Sequence, residues 1–108
     1  MYVVTVTIGR NIRTRPMTDT QWSAFKNVVG RTVCYVRIPE RYETHTGTAE
    51  REGVPEESWK IAAFYPEPWV LRNKNDLAFF LAEAAREYKQ DAITVSYGES
   101  ELVLSATH

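Results

Sequence analysis

The residues with the greatest capacity for metal or nucleophilic chemistry are one cysteine and two histidines. Cys34, His45 and His108 are the only soft or borderline metal ligands among 108 residues. They lack the paired spacing of zinc sites, so we expect neither a metal nor a cofactor. Cys34 falls in an apolar run, where a free cysteine behaves as a small hydrophobe rather than as a nucleophile.

Paired carboxylates could in principle support general acid–base chemistry. The pairs are Glu50 with Glu52 and Glu56 with Glu57, all within the hydrophilic stretch 40–57. A general acid needs burial to raise its pKa, whereas this composition predicts solvated charge. The chain also lacks a Gly-x-Ser-x-Gly motif and a Gly-rich phosphate loop. The sequence therefore predicts no catalytic residues.

Arginines are concentrated after the first predicted strand, at Arg10, Arg13 and Arg15. Three guanidinium groups so placed could hold phosphates, because the planar fork of arginine matches phosphate geometry. The strand before them carries Val3, Thr5 and Thr7 on its second face, without the aromatic residues that stack RNA bases. Nucleic-acid binding through residues 10–15 is therefore an alternative prediction.

Charge is unevenly distributed although the net charge is −1. Residues 10–37 hold six basic residues against one acidic residue, and residues 40–67 hold seven acidic residues against three basic ones. The chain is therefore not a generally basic nucleic-acid binder. Pairing of the arginines with the acidic stretch 40–57 is the simpler interpretation of both segments.

The hydrophobic pattern predicts seven elements in the order β-α-β-β-α-β-β. These cover residues 2–8, 19–29, 33–38, 59–65 and 76–90 and a C-terminal hairpin over 93–104, with a polar loop or hairpin arm at 40–57. Thr18 and Gln21 form a capping box for the first helix, which is expected to end at Gly30. Asn73 is the expected cap of the second helix, and Gly98-Glu99 is the expected hairpin turn.

The first six elements of this order resemble the split βαβ, or ferredoxin-like, superfold. That resemblance implies an antiparallel sheet with both helices on one face, and 108 residues suit one α+β domain, 1–108. The strands carry apolar residues on both faces, so the face without helices needs a cover. We expect the arm at 40–57 or a second subunit, as in a homodimer, to supply it.

The predicted second helix has one aromatic residue out of phase with its apolar stripe. Phe79 points nearly opposite the stripe, beside Asn75 and Arg86. Aromatic residues and arginine supply much of the binding energy at interfaces. These three residues, with Trp69 after Pro-Glu-Pro, are the predicted partner-binding surface.

The leading prediction is a non-enzymatic protein-interaction module that binds a protein partner or itself. Its small size and lack of motifs resemble accessory proteins of bacteriophages, including inhibitors of host systems, in style rather than in any residue. A third alternative is a small-molecule enzyme with a pocket at a dimer or sheet–helix interface, for which Tyr35, Tyr65 and Tyr97 are the residues to check. We expect a cytoplasmic protein, because one cysteine permits no internal disulfide and no apolar run is long enough to span a membrane.

Overall fold

The computed structural model describes residues 2–51, 53–66, 70–90 and 93–99. Its elements are, in chain order, β1 (Tyr2–Gly9), β2 (Asn11–Ile12), β3 (Arg15–Pro16), α1 (Asp19–Val36), β4 (Arg41–Arg51), β5 (Val54–Tyr65), α2 (Val70–Glu87) and β6 (Thr94–Glu99). None of the helices in this part of the chain combines the length and apolar character that crossing a membrane would need.

The four long strands form one antiparallel sheet in the order β4-β5-β1-β6. This is the split βαβ arrangement, with the first long strand paired on one side with the third and on the other with the last. The predicted α+β, ferredoxin-like fold is therefore confirmed. The short strands β2 and β3 form a separate small hairpin in the arginine-containing segment after β1.

Strand β1 lies at the centre of the sheet and alternates between two faces. Val4, Val6 and Ile8 are buried in the main core, as the alternating pattern predicted. The core is completed by apolar side chains of both helices and of β5, including Trp22, Phe25, Val29, Val33, Ile61, Ala63, Tyr65, Leu77 and Leu81. The opposite face holds a second, smaller cluster of Val3, Ala62 and Phe64, with the Arg41 guanidinium 3.9 Å from the Phe64 ring centroid.

Helix α1 begins as predicted but ends seven residues later than predicted. Thr18 and Gln21 form the capping box, yet the helix continues through Gly30 to Val36. The prediction of a strand at 33–38 is wrong. Val33 follows Val29 by four residues and therefore continues the buried face of the helix. Burial of this face overrides the β propensity of the valines and the cost of a mid-helix glycine.

Strands β4 and β5 form a long hairpin across the segment that the sequence left as a loop or arm. Their register pairs Tyr42 with Ala63, Thr44 with Ile61 and Thr46 with Trp59. Because Ile61 and Ala63 lie in the main core, the side chains of Tyr42 and Thr44 share the helix-facing side of the sheet. The hairpin therefore extends the sheet beneath α1.

Helix α2 begins before the predicted cap, and a residue in the left-handed conformation follows its C-terminal end. Asn73 lies within the helix rather than at its start. At the C-terminus Lys89 has φ 57°, and Gln90 N–H donates to Ala85 O at 2.8 Å, which is the pattern of a Schellman motif. This end directs Gln90 inward, where Nε2 donates to Asn11 O at 3.0 Å.

The last described strand, β6, differs from its predicted hairpin. Gly98 and Glu99, the predicted turn, are part of β6 and pair with Val3 and Tyr2 of β1. Pairing with the central strand keeps this segment extended beyond the predicted turn. The predicted return strand after residue 99 lies outside the described residues.

Candidate functional site

The three arginines of the predicted phosphate-binding segment do not converge. Arg10 turns inward and donates to Met17 O at 2.9 Å, Asp19 at 2.6 Å and Glu57 at 3.0 Å. The pKa of Arg10 is raised, first by its hydrogen bond to Asp19. Arg13, at φ 60° in the β2–β3 turn, and Arg15 are exposed. Arg10 is therefore part of the fold, and its side chain is unavailable for binding phosphate.

Three of the four residues of the predicted partner surface lie within the described part of the chain. Phe79 is 60% exposed, and its ring stands edge-on to Phe80 at a centroid distance of 5.4 Å. Asn75 and Arg86 are also exposed, and Arg86 is paired with Glu83 at 2.7 Å. Trp69 lies outside the described residues. Exposure alone does not assign a partner to this surface.

The candidate metal ligands and nucleophile are dispersed. Cys34 lies in α1 instead of a strand, is half-buried, and burial raises the pKa of its thiol. His45 lies in β4 with Nε2 3.5 Å from Glu43, whereas His108 is outside the described residues. No cluster of three metal-ligating residues occurs within the described ranges.

The carboxylates Glu56 and Glu57 were predicted to be solvated loop charges, and that interpretation is wrong. Glu56 is 7% exposed and accepts a hydrogen bond from Asn11 N–H at 2.6 Å. Glu57 accepts from Trp22 Nε1 at 2.9 Å and from Arg10 Nη1 at 3.0 Å. The β4–β5 hairpin places both carboxylates against the end of β1. Their partners Arg10 and Asn11 are more than forty residues away in the sequence, so local composition cannot indicate these contacts.

The three tyrosines proposed for an enzymatic pocket lie on three different elements, α1, β5 and β6. Tyr35 is 79% exposed on α1. Tyr65 is buried and donates its hydroxyl to Arg37 O at 3.0 Å, and burial raises its pKa far above the usual range. Tyr97 is half-buried in β6, and its pKa is also raised by burial. A phenol with a raised pKa stays protonated at neutral pH, so Tyr65 and Tyr97 are poor general bases.

Grooves of about 360, 400 and 450 Å³ open on the described surface. The first lies between the two helices, and the third lies between α2 and β6 with mainly aliphatic walls. The second, here called the α1–hairpin groove, lies between α1 and β4–β5 and combines aromatic, cationic and polar side chains. Its lining residues are Lys26, Asn27, Gly30, Arg31, Cys34, Tyr42, Thr44, Trp59 and Ile61.

The helical wall of the α1–hairpin groove is one row of residues. Lys26, Gly30 and Cys34 are spaced by four and therefore lie above one another along α1. Gly30 leaves the middle of this row without a side chain, opposite Trp59 of β5. Tyr42, 58% exposed, belongs to the sheet side of the same groove. The groove thus joins a helical recess to two aromatic side chains.

The charges around this groove are of both signs. Lys26 Nζ lies 5.4 Å from the Trp22 ring centroid, and Arg31 is exposed on the outer rim. The pKa of Glu57 is lowered by its hydrogen bond from Trp22, then by Arg10, with a smaller contribution from the charge of Lys26. Glu57 is therefore ionised at neutral pH close to the Lys26 end of the groove.

The sequence prediction missed this groove because it ended α1 at Gly30. A helix ending there places Arg31 and Cys34 on a different element from Lys26, so the row cannot be recognised. The available signal was the continuation of the Trp22, Phe25 and Val29 stripe to Val33. That stripe would have indicated a helix passing through the glycine.

Comparison with known proteins gives similarity in structure alone. No protein-family model and no curated protein sequence matches the chain. A phage SAM lyase in complex with S-methyl-5′-thioadenosine matches with a TM-score of 0.59 and 18% identity, over 91% of this chain and 80% of that one. The apo state of a phage SAM lyase matches with a TM-score of 0.62 and 16% identity, over 91% and 79%. At these identities the match shows a shared fold.

These comparisons contradict the leading functional prediction. Two solved structures that share the fold over nine tenths of the chain are those of a phage SAM lyase, an enzyme. The prediction of a non-enzymatic protein-interaction module is therefore wrong. It relied on the absence of a catalytic constellation, and that absence does not exclude a reaction that needs no acid or base.

Proposed function

We propose that this protein is an enzyme that cleaves S-adenosylmethionine (SAM) and releases S-methyl-5′-thioadenosine, with the α1–hairpin groove as its substrate site. The observation that carries the proposal is the combination of Trp59, Tyr42 and two cationic side chains in one groove of about 400 Å³. The fold shared with a phage SAM lyase supports this choice of substrate. A cytoplasmic location belongs to the same proposal, because SAM is a cytoplasmic metabolite.

The groove chemistry suits the parts of SAM. A purine and a sulfonium are both attracted to aromatic faces, the purine by stacking and the sulfonium by the ring quadrupole. Trp59 and Tyr42 offer such faces. The carboxylate at the other end of SAM requires a cation, which Lys26 or Arg31 can supply. Asn27 and Thr44 add hydrogen-bonding groups for the ribose or the base.

The proposed reaction requires no proton transfer. An oxygen of the SAM carboxylate attacks the γ-carbon and forms a C–O bond, while the S–Cγ bond breaks and its electron pair passes to sulfur. The products are S-methyl-5′-thioadenosine and a five-membered homoserine lactone, so all atoms are accounted for without water. The leaving group is a neutral thioether, which needs no general acid, and the carboxylate is already ionised at pH 7.

The protein would therefore contribute position and environment. The groove would hold the aminobutyrate chain of SAM in a folded conformation in which the carboxylate faces the γ-carbon. Because the reacting atoms are then already oriented, the activation free energy of the reaction is substantially lower. The positive sulfonium and the negative carboxylate neutralise each other as the reaction proceeds. A groove that replaces water with aromatic walls is consistent with that loss of charge. This account fits a chain with no acid–base dyad in its described groove.

The test is turnover of SAM by the purified protein, followed by mass spectrometry of the products. We expect S-methyl-5′-thioadenosine to accumulate in proportion to protein concentration, well above the rate of a protein-free control. In H₂¹⁸O, internal attack leaves the γ-oxygen of the lactone unlabelled, whereas direct attack by water labels the γ-hydroxyl of homoserine. Product formation no faster than in the control would reject the proposal, and a labelled γ-hydroxyl would reject the internal mechanism.

Groove variants connect that activity to the site. Replacing Trp59 with Leu, or both Lys26 and Arg31 with Met, should lower kcat/KM by about tenfold or more, roughly 1.4 kcal/mol in transition-state free energy. Phe79→Ala is the matched control, because Phe79 is an aromatic residue outside the groove. Equal loss in the control and the groove variants would place the activity elsewhere.

A further inference from the structure

Gly30 occupies an unfavourable position for a glycine. It lies in the interior of α1, six residues before the helix ends at Val36. Glycine in a helix interior is less favourable than alanine, because it loses more backbone freedom on folding. A reason for keeping glycine at this position therefore has to come from its surroundings.

Packing within the protein does not require Gly30. A Cβ added to Gly30 would lie 3.8 Å from Trp59 Cη2, which is ordinary van der Waals contact. Gly9 is different, because a Cβ there would lie 2.5 Å from the Glu56 carboxylate. Steric exclusion explains Gly9, whereas alanine at position 30 would fit the structure and improve the helix.

The space left by Gly30 belongs to the α1–hairpin groove. Lys26 and Cys34 stand one turn away on either side, and Trp59 faces the gap from β5. A side chain at position 30 would therefore project into the groove, next to Cη2 of the indole. The groove volume of about 400 Å³ lies within the range of small-molecule sites.

We infer that Gly30 determines specificity by admitting the purine ring of a nucleoside, which stacks on the face of Trp59 with its edge beside the backbone of Gly30. The choice of a nucleoside as ligand rests on the proposed function. The position of the site rests on the space that Gly30 leaves between the side chains of Lys26 and Cys34. The side-chain amide of Asn27, one of the groove residues, offers a donor and an acceptor that match the edge of adenine. Alanine at position 30 would narrow the recess by one methyl group and displace the ring from the indole.

The experiment measures affinity and stability together. Isothermal titration with S-methyl-5′-thioadenosine gives the dissociation constant, and thermal unfolding of the same sample gives Tm. We expect Gly30→Ala to raise Tm by a few degrees and to weaken binding by about tenfold. A purely structural glycine would give higher Tm with unchanged affinity, and this result would overturn the inference.

Asn75→Ala is the matched control. Asn75 is exposed in α2 and lies outside the α1–hairpin groove, and alanine there also improves helix propensity. We expect it to raise Tm without changing the affinity. Equal loss of affinity in both variants would overturn the inference, because stiffening of a helix would then explain the effect.

Failure of this inference is distinguishable from failure of the proposed function. If wild-type protein cleaves SAM and Gly30→Ala does so with unchanged KM, the specificity role of Gly30 is wrong and the activity stands. If S-methyl-5′-thioadenosine binds and the affinity depends on Gly30, but SAM is not cleaved, the nucleoside site stands and the activity is wrong. No binding to wild-type protein at millimolar nucleoside overturns the site.

Discussion

The indole Nε1 of Trp22 donates to the Glu57 carboxylate at 2.9 Å and thereby links α1 to β5. The same carboxylate accepts from Arg10 Nη1 at 3.0 Å, which adds the end of β1 to the link. Hydrogen bonds to an ionised carboxylate favour its charged form. The pKa of Glu57 is lowered accordingly, with Trp22 as the largest cause.

Replacing Glu57 with Gln should reduce stability at pH 7 and flatten its dependence on acid pH. In the wild type the folded-state pKa lies below the unfolded value of about 4.3, so the unfolded state binds more protons in that window. The contribution of Glu57 is present above that value and is lost as the pH falls through the folded pKa. Urea unfolding from pH 7 to pH 3 measures both effects.

The expected cost of Glu57→Gln at pH 7 is about 1–2 kcal/mol, since charge-assisted hydrogen bonds at a partly exposed site are of moderate strength. Glu50→Gln, at an exposed position of β4, is the control and should leave the acid slope unchanged. A wild-type slope retained in Glu57→Gln would mean that other carboxylates cause it.

Replacing Gly9 with Ala should destabilise the protein through a collision with Glu56. The added Cβ would lie 2.5 Å from a carboxylate that is 7% exposed and hydrogen-bonded to Asn11 N–H. Because the carboxylate has little room to move, we expect a loss of about 1–3 kcal/mol, typical of overpacking. The free energy of unfolding in urea provides the measurement.

A double-mutant cycle separates this collision from a backbone effect. In a Glu56→Ala background the carboxylate is absent, so Gly9→Ala should cost much less than in the wild type. Equal costs in the two backgrounds would show that Gly9 is needed for its backbone conformation instead of for the space it leaves.

Strand β1 shows what the sequence could predict. Its alternation placed Val4, Val6 and Ile8 on the core face, and the sheet follows that face. Side chains of a strand alternate between its two faces with a period of two, so a short window of residues is sufficient to identify which of them share a face. The capping box at Thr18 was equally local and is confirmed.

The end of α1 and the burial of Glu56 show why the rest could not be predicted. Val33 and Val36 satisfy a helical stripe and a strand equally well, and Gly30 is common at helix ends. Only packing against the sheet decides between these readings. Burial of Glu56 likewise depends on Gly9, 47 residues earlier, and the candidate groove depends on both the extended helix and the hairpin.

Replacing Phe79 with Ala should have little effect on the free energy of unfolding. Its side chain is 60% exposed, and its described ring contact is with Phe80, itself 39% exposed. We expect a loss below about 1 kcal/mol, the range of an exposed aromatic pair. Phe25→Ala, at a fully buried position, should cost about 3–5 kcal/mol in the same measurement. A comparable cost for Phe79→Ala would show that the ring is buried in solution.

The rate of SAM cleavage should depend little on pH between about 5 and 6.5. In this interval the substrate carboxylate is ionised and the α-amino group of SAM, with an ordinary pKa of about 7.7–8.0, is protonated, so the substrate is in one form. The thiol of Cys34 is also protonated, because burial raises its pKa. Since the proposed step transfers no proton, we expect kcat to vary by less than about twofold over the interval.

Cys34→Ser tests whether the protein itself supplies a nucleophile. Cys34 lines the groove. If its thiolate were the nucleophile, the enzyme would lose activity on replacement by serine; if the thiol only forms part of the groove wall, the activity would be retained. We expect kcat of the variant to stay within about threefold of the wild type, with the same flat profile. A bell-shaped pH profile would reveal an essential acid and base. A loss of kcat of several hundredfold in Cys34→Ser would reveal covalent catalysis. Either result would contradict internal attack by the substrate carboxylate.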